Sequence, residues 1–253
     1  MKPHEQALDH PPKRPTFNRA PDLTNTYSAH SAWSAISSIA DIITPTSTSR
    51  SSFLAEASSG AFAGCTVAYR TFESFSITGQ IDTELLATLP PSLGFICHNG
   101  AGYDQINIPA CTARGIRVSN TPTAVDDATA DIGIFLLLGS LRNLNASMIS
   151  LRAGEWRGTP PPALGHDPQG KVLGILGMGG IGRNFAQKAA VFGMVIRYHN
   201  RTRLSEEAER KTGVEYVDFE TLLAESDVLS LNLPLNVSQV ADTWLLKGDT
   251  DGV

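Results

Sequence analysis

Apolar residues along this chain follow two alternating patterns, short unbroken runs and stripes that recur every three or four positions. Short runs bounded by turn residues read as buried strands, and the stripes read as amphipathic helices. From about Ala32, the spacing of Trp33, Ile36, Ile39 and Ala40 predicts a helix feeding a short strand, Asp41-Ile42-Ile43-Thr44. Phe53 to Phe62 then reads as a helix, Cys65 to Tyr69 as a strand, Asp82 to Leu89 as a helix, and Gly94 to Cys97 and Gly115 to Val118 as two further strands. Such alternation predicts a parallel sheet covered on both faces. Residues 1–27 differ: they are rich in Pro, His, Asn and charge and show no period, which predicts a disordered arm.

Asn120-Thr121-Pro122 interrupts the series, and Asp126 or Asp127 is placed to cap a long helix beginning near Ala128. The boundary between two domains is therefore expected near residue 125. A second series follows the loop Thr159-Pro160-Pro161-Pro162: strand Lys171 to Leu176, helix Ile181 to Phe192, strand Met194 to Tyr198, a helix around Ser205 to Thr212, a short strand Glu215 to Val217, helix Phe219 to Ala224, and strand Val228 to Leu233. This is an alternating series with about four of the six strands that a complete dinucleotide-binding fold contains.

The sharpest motif is Gly177-Met178-Gly179-Gly180-Ile181-Gly182, a GxGxxG directly after an apolar strand and directly before a helix. The first glycine permits a tight turn, Gly179 lets the backbone approach a pyrophosphate, and Gly182 lets helix and strand pack closely, while the helix N-terminus supplies unpaired N–H groups and positive dipole. In a chain with 22 glycines a lone GxGxxG is also compatible with an ordinary loop; the flanking strand and helix are what turn it into a cofactor signal. At the end of the next strand stand Tyr198-His199-Asn200-Arg201-Thr202-Arg203, with no carboxylate before Glu206. A carboxylate there would repel a 2′-phosphate, whereas a guanidinium grips one, so NADP is expected in preference to NAD, with Asn200, Arg201 and Thr202 on the cofactor side. The competing account makes Arg201 and Arg203 a solvated loop.

Composition narrows the classes. A hydrophobic content of 42% is ordinary for a globular protein with a sizeable core, and the net charge of -5, with no run rich in Lys or Arg, argues against nucleic acid and anionic lipid as partners. Cys65, Cys97 and Cys111 are odd in number and far apart, which leaves neither a disulfide framework nor a metal motif, and fits a reducing compartment. The apolar stretch Ile132 to Leu138 is far shorter than the roughly 20 residues that span a bilayer. The first residues lack an apolar segment of the secretory kind, so a cytoplasmic location is expected.

Taken in order, His98-Asn99-Gly100-Ala101-Gly102-Tyr103-Asp104, the segment Asn120 to Leu141, Trp156-Arg157-Gly158, the glycine turn and Leu233-Pro234-Leu235-Asn236 resemble the D-isomer-specific 2-hydroxyacid dehydrogenases, in particular their fungal glyoxylate/hydroxypyruvate reductase-like branch. The resemblance covers about Ala32 to Asn236. It implies an α/β protein with a flavodoxin-like substrate domain at residues 28–125, incomplete because the polar arm replaces its opening strand, an incomplete Rossmann-type NAD(P)-binding domain at 126–236 and a divergent tail at 237–253. It implies that Gly100, Ala101 and Gly102 turn backbone amides toward a substrate carboxylate, a role bare glycine amides suit. The loop Tyr69-Arg70-Thr71 is similar to a second substrate-side loop, where Arg70 adds charge or is simply a surface arginine. Thr129 is implied to lie near the nicotinamide, Gly180 and Ile181 to bind the cofactor with the other residues of the glycine turn, Leu233 and Pro234 to line the cofactor cleft, and the long helix with the arm Asn143 to Trp156 to form a homodimer.

The same resemblance implies an absence. Hydride transfer to a 2-oxo acid needs a cation on the carboxylate and carbonyl and a proton donor for the developing alkoxide. The family's Arg, Glu and His for these tasks have no counterpart here, and the family pattern ends after Asn236. His98, His166 and His199 do not follow the placement of the family's acid and are read as structural. The expectation is an incomplete chain, oxidoreductase by descent and without turnover; the alternative is a dinucleotide-binding or dimerising protein with no catalytic role.

Overall fold

Among the described residues every strand pairs with its neighbours in parallel. The computed structural model describes residues 16–19 and 30–233, and the chain divides between Thr121 and Pro122 into two units, each with its own sheet and core. The junction falls four residues before the expected end of the first domain at 125.

The first unit runs β1 (Thr16–Arg19), α1 (His30–Ser37), β2 (Asp41–Ile43), α2 (Arg50–Ser58), β3 (Cys65–Thr71), α3 (Phe75–Thr78), α4 (Thr83–Thr88), β4 (Phe95–Asn99), α5 (Ile108–Ala113) and β5 (Arg117–Ser119). Its sheet has the order β2-β1-β3-β4-β5, the flavodoxin-like arrangement. β1 corrects the reading of residues 1–27 as a disordered arm. Four residues, Thr-Phe-Asn-Arg, are too few to show a period; they form a strand because β2 and β3 pair with them on either side, Phe17 standing opposite both Ile42 and Val67. Local capping agrees with the sequence elsewhere: Ser49 and Ser52 close a capping box on α2, and Asp82 caps α4 by accepting from the Leu85 N–H at 2.9 Å. Ile96 of β4 is buried among Leu85, Leu86, Phe62 and Cys111 in the core of this unit.

The second unit runs α6 (Asp126–Leu141), α7 (Leu144–Arg152), β6 (Val172–Leu176), α8 (Gly180–Val191), β7 (Val195–His199), α9 (Glu206–Thr212), β8 (Glu215–Tyr216), α10 (Phe219–Glu225) and β9 (Val228–Leu231). Its order, β8-β7-β6-β9, places the first strand of the unit beside the second and the fourth, the order of a Rossmann-type sheet over its first four strands. Leu173, Gly174, Ile175 and Leu176 of β6 are all buried, as a central parallel strand with both faces covered must be. α6 begins two residues earlier than expected: its N-cap is Val125, without a side-chain bond, and Asp126 and Asp127 lie in the first turn. There they complement the positive end of the helix, and Lys188 of α8 bonds Asp127 at 2.7 Å and also reaches Asp131. No single helix among the described residues is long and apolar enough to cross a membrane.

Candidate functional site

In the second unit the chain leaves β6 at Leu176 and reverses at Gly177, whose φ of +103° is strained for any L side chain. A Cβ at Gly177 would also stand 2.5 Å from the Asn232 carbonyl oxygen, and one at Gly182 would strike the Gly177 carbonyl. The turn is pinned from both neighbouring strands. Gly177 N–H donates to His199 O at 3.0 Å, Asn232 N–H donates to Leu176 O at 2.8 Å, and Met178 N–H donates to the side-chain oxygen of Asn200 at 2.7 Å. Gly179 is different: nothing lies within 4 Å of where its Cβ would be, so its backbone is open.

A cavity of about 580 Å3 opens at this point, over the C-terminal ends of β6, β7 and β9, lined among others by Gly177, Gly179, Asn200, Arg201, Thr202 and Leu233. These were all named from the sequence. Gly180, Ile181 and Gly182 form the first turn of α8 just behind it, with Gly182 buried against the turn. Arg183, His199 and Phe219 also line the cavity and were not singled out as cofactor residues; Arg183 follows the last glycine of the motif directly, which is the signal that marks it. Thr129 does not line the cavity: it is exposed, early in α6. Pro234 lies outside the described residues.

The two arginines after β7 have different surroundings. Arg203 is bound to Glu209 of α9 through two hydrogen bonds of 2.8 and 2.7 Å, and its guanidinium stands 5.4 Å from the centre of the Tyr216 ring. The Tyr198 hydroxyl donates to the same carboxylate at 2.6 Å and accepts from Leu204 N–H at 2.9 Å. Arg203 and Tyr198 together hold the Glu209 carboxyl down to about 2, while burial and the nearby carboxylate push the Tyr198 phenol up to about 12. Arg203 is thus a strut of the fold, and of the pair only Arg201 lines the cavity.

These features fit a dinucleotide: a bare backbone at Gly179, the first N–H groups of a twelve-residue helix, and Arg183 and Arg201 in the lining of the same cavity. Backbone N–H groups at a helix start hold a diphosphate, and Asn200, Arg201 and Thr202 stand where the next strand ends, the ribose position of such folds.

In the first unit, the turn Gly100-Ala101-Gly102 follows β4. All three of its carbonyls accept hydrogen bonds: Gly100 O from Thr121 N–H at 3.0 Å, Ala101 O from the Asn120 side chain at 2.7 Å, and Gly102 O from His98 Nε2 at 2.8 Å. In a trans peptide the C=O and the following N–H point in opposite directions, so the N–H groups of Ala101, Gly102 and Tyr103 face away from these donors. None of the three makes a backbone hydrogen bond among the described residues. Arg70, near the end of the adjacent β3, is 5% exposed, which removes the surface-arginine reading. Its guanidinium bonds Gln105 Oε1 at 2.6 Å and Ser74 Oγ at 3.4 Å, but Nη1 has no partner, and burial pulls its pKa down to about 10. It remains a cation at neutral pH without a carboxylate beside it among the described residues.

A parallel sheet in this order, with a glycine turn that opens a helix after its first strand, defines a Rossmann-type dinucleotide-binding domain. Residues 134–240 match the family model described as "D-isomer specific 2-hydroxyacid dehydrogenase, NAD binding domain". The chain is 53% identical over 210 residues to 4-methyl-2-oxopentanoate reductase A of Aspergillus oryzae, an alignment covering 83% of this chain and 63% of the relative. It is 44% identical over 212 residues to glyoxylate reductase 1 of Saccharomyces cerevisiae, covering 81% and 60%. Among solved structures, a glyoxylate reductase from Paecilomyes thermophila superposes with a TM-score of 0.82 at 46% identity, covering 90% of this chain and 67% of that one. The chain belongs to the D-isomer-specific 2-hydroxyacid dehydrogenase family. It spans about three fifths of the length of the curated relatives it matches.

Proposed function

We propose that this chain contributes the dinucleotide cradle and the substrate-carboxylate turn of an NAD(P)-dependent oxidoreductase that interconverts small 2-oxo and 2-hydroxy acids. The observation that carries the reading is the glycine turn pinned between β6, β7 and β9 with its open backbone at Gly179. The bound nicotinamide dinucleotide supplies or accepts the hydride. Gly177, Gly179, Gly180, Ile181 and Gly182 hold its diphosphate, Asn200, Arg201 and Thr202 its adenosine side, and Leu233 borders the cavity. Arg201 without a competing carboxylate favours NADP over NAD. Ala101, Gly102 and Tyr103 offer their N–H groups to the substrate carboxylate, with the buried charge of Arg70 behind them. The substrate class follows relatives whose names specify 4-methyl-2-oxopentanoate and glyoxylate, both 2-oxo acids.

The proton donor is the part these residues do not provide. His98 is committed to Gly102 O, and His199 to Val217 O at 3.0 Å. The 253 residues by themselves are therefore proposed to bind cofactor without turnover. Titration of the purified chain with NADPH by calorimetry, alongside an assay of NADPH oxidation with glyoxylate, tests both halves: no binding rejects the cradle, and sustained oxidation rejects the inactivity. A dimer is proposed through the apolar face of α6 and α7, where Ile132, Phe135, Leu136 and Ile149 are exposed. Sedimentation of Phe135→Glu as a smaller species than wild type supports it. The three free cysteines fit the reducing cytoplasm, where we place the protein.

A further inference from the structure

Two side chains that the proposed chemistry leaves unused brace the Gly100–Gly102 turn from behind. His98, near the end of β4, is 2% exposed, and its Nε2 lies 2.8 Å from Gly102 O. A carbonyl only accepts, so Nε2 carries the proton. The ring is fixed from a second side by Phe72, edge-on with centroids 4.9 Å apart. A Cβ at Gly100 would strike Phe72 and stand 2.5 Å from His98 Nε2, so both rings press directly on the turn. Thr121 N–H and the Asn120 side chain hold the other two carbonyls of the turn. Those two come from the segment after β5; His98 is the brace contributed by the strand that leads into the turn itself.

We propose that His98 is a positioning residue for the Gly100–Ala101–Gly102 turn: as a neutral imidazole donating from Nε2 to Gly102 O, it sets the direction in which the Gly102–Tyr103 peptide presents the Tyr103 N–H. The inference rests on the reading of that turn as the carboxylate-binding element. Burial first, and the charge of Arg70 second, lower the pKa of this ring, which favours the neutral form the bond requires. Its Nδ1 is buried without a partner, as is Arg70 Nη1 on the residue paired with it across β3 and β4. A bare Nδ1 accepts and a guanidinium donates, so these two unmatched atoms are of complementary kinds. The ring is 2% exposed and its protonated nitrogen is spent on main chain, which separates positioning from catalysis.

The test uses the full chain with oxalate as the probe. The 15N spectrum of the His98 ring is expected to show Nε2 protonated and Nδ1 bare. Calorimetric titration is expected to show His98→Leu binding oxalate about tenfold more weakly than wild type, the equivalent of one hydrogen bond, while NADPH affinity is unchanged. His98→Gln, whose amide N–H can reach the same carbonyl, is expected to recover most of that loss. A bare Nε2 in the wild type, or equal oxalate affinity in wild type and His98→Leu, overturns the proposal. If His98→Leu does not fold, the ring tautomer and the oxalate affinity of His98→Gln decide it, since a Gln variant ten times weaker than wild type also counts against it. If wild type ignores oxalate altogether, the carboxylate reading of the turn falls; the positioning role is then judged by the backbone amide chemical shifts of Tyr103, which His98→Leu must move and His98→Gln must leave close to wild type.

Discussion

The side-chain oxygen of Asn200, one residue beyond β7, accepts a 2.7 Å hydrogen bond from the Met178 N–H in the middle of the glycine turn. One bond therefore joins the end of β7 to the glycine turn across the lining of the cavity. Asn200→Ala leaves a half-buried N–H without its acceptor and lets the turn relax. The expected cost is about 1–2 kcal/mol in dinucleotide affinity, a factor of roughly five to thirty, read by calorimetry with NADPH. Unchanged affinity would mean that the bond does not shape the site.

Arg201 and Arg203 look equivalent in the sequence and are expected to behave differently. Arg201→Ala should weaken NADPH more than NADH and leave thermal stability close to wild type. Arg203→Ala strands the Glu209 carboxylate and should lower Tm while changing the NADPH-to-NADH preference little. A preference that shifts with Arg203 and not Arg201 would reverse the assignment.

Within the glycine turn, two alanines separate packing from binding. Gly182→Ala drives a methyl into the Gly177 carbonyl, with an expected destabilisation of about 1–3 kcal/mol in chemical unfolding. Gly179→Ala meets nothing within 4 Å and has an ordinary φ of -77°, so the fold should tolerate it. Its methyl would then occupy the approach to the backbone, and weaker NADPH binding at normal stability is the outcome that supports a phosphate at this position.

The Tyr198–Glu209–Arg203 cluster predicts how the second unit responds to pH. The Glu209 carboxyl is depressed in the fold from its ordinary value near 4.5 to about 2, so its contribution is complete above about pH 4.5 and is lost as pH falls toward 2. The Tyr198 phenol is raised from 10 to about 12, so its contribution is complete below pH 10 and is lost as pH rises toward 12. Circular dichroism melts across pH should show both losses in wild type. Glu209→Gln should be less stable at neutral pH and should flatten the acid limb; an acid limb of unchanged steepness would assign that loss to other carboxylates.

What was legible in the sequence followed from local physics. The apolar run of β6, the glycines after it and the amphipathic α8 specify a strand, a turn and a helix by nearest-neighbour rules alone. The motif order identified the family for the same reason: each piece is short and contiguous. β1 was not legible, because four residues acquire their strand identity from pairing with β2 and β3, which lie 22 or more positions further along the chain. The start of α6 was misplaced because its acids favour the first helical turn through the helix dipole and Lys188, a partner 61 residues away from Asp127.

The sequence by itself determined that strands and helices alternate, that a dinucleotide turn follows Leu176, and that a carboxylate is missing after β7. Only the tertiary structure decided which of the two arginines after β7 lines the cavity. Arg203 is claimed by Glu209 on the next helix, and Arg70 is drawn into the first unit with one guanidinium nitrogen unmatched. A charge is read from one residue type, but its availability depends on desolvation and on partners brought near by folding, and no local pattern encodes those distances.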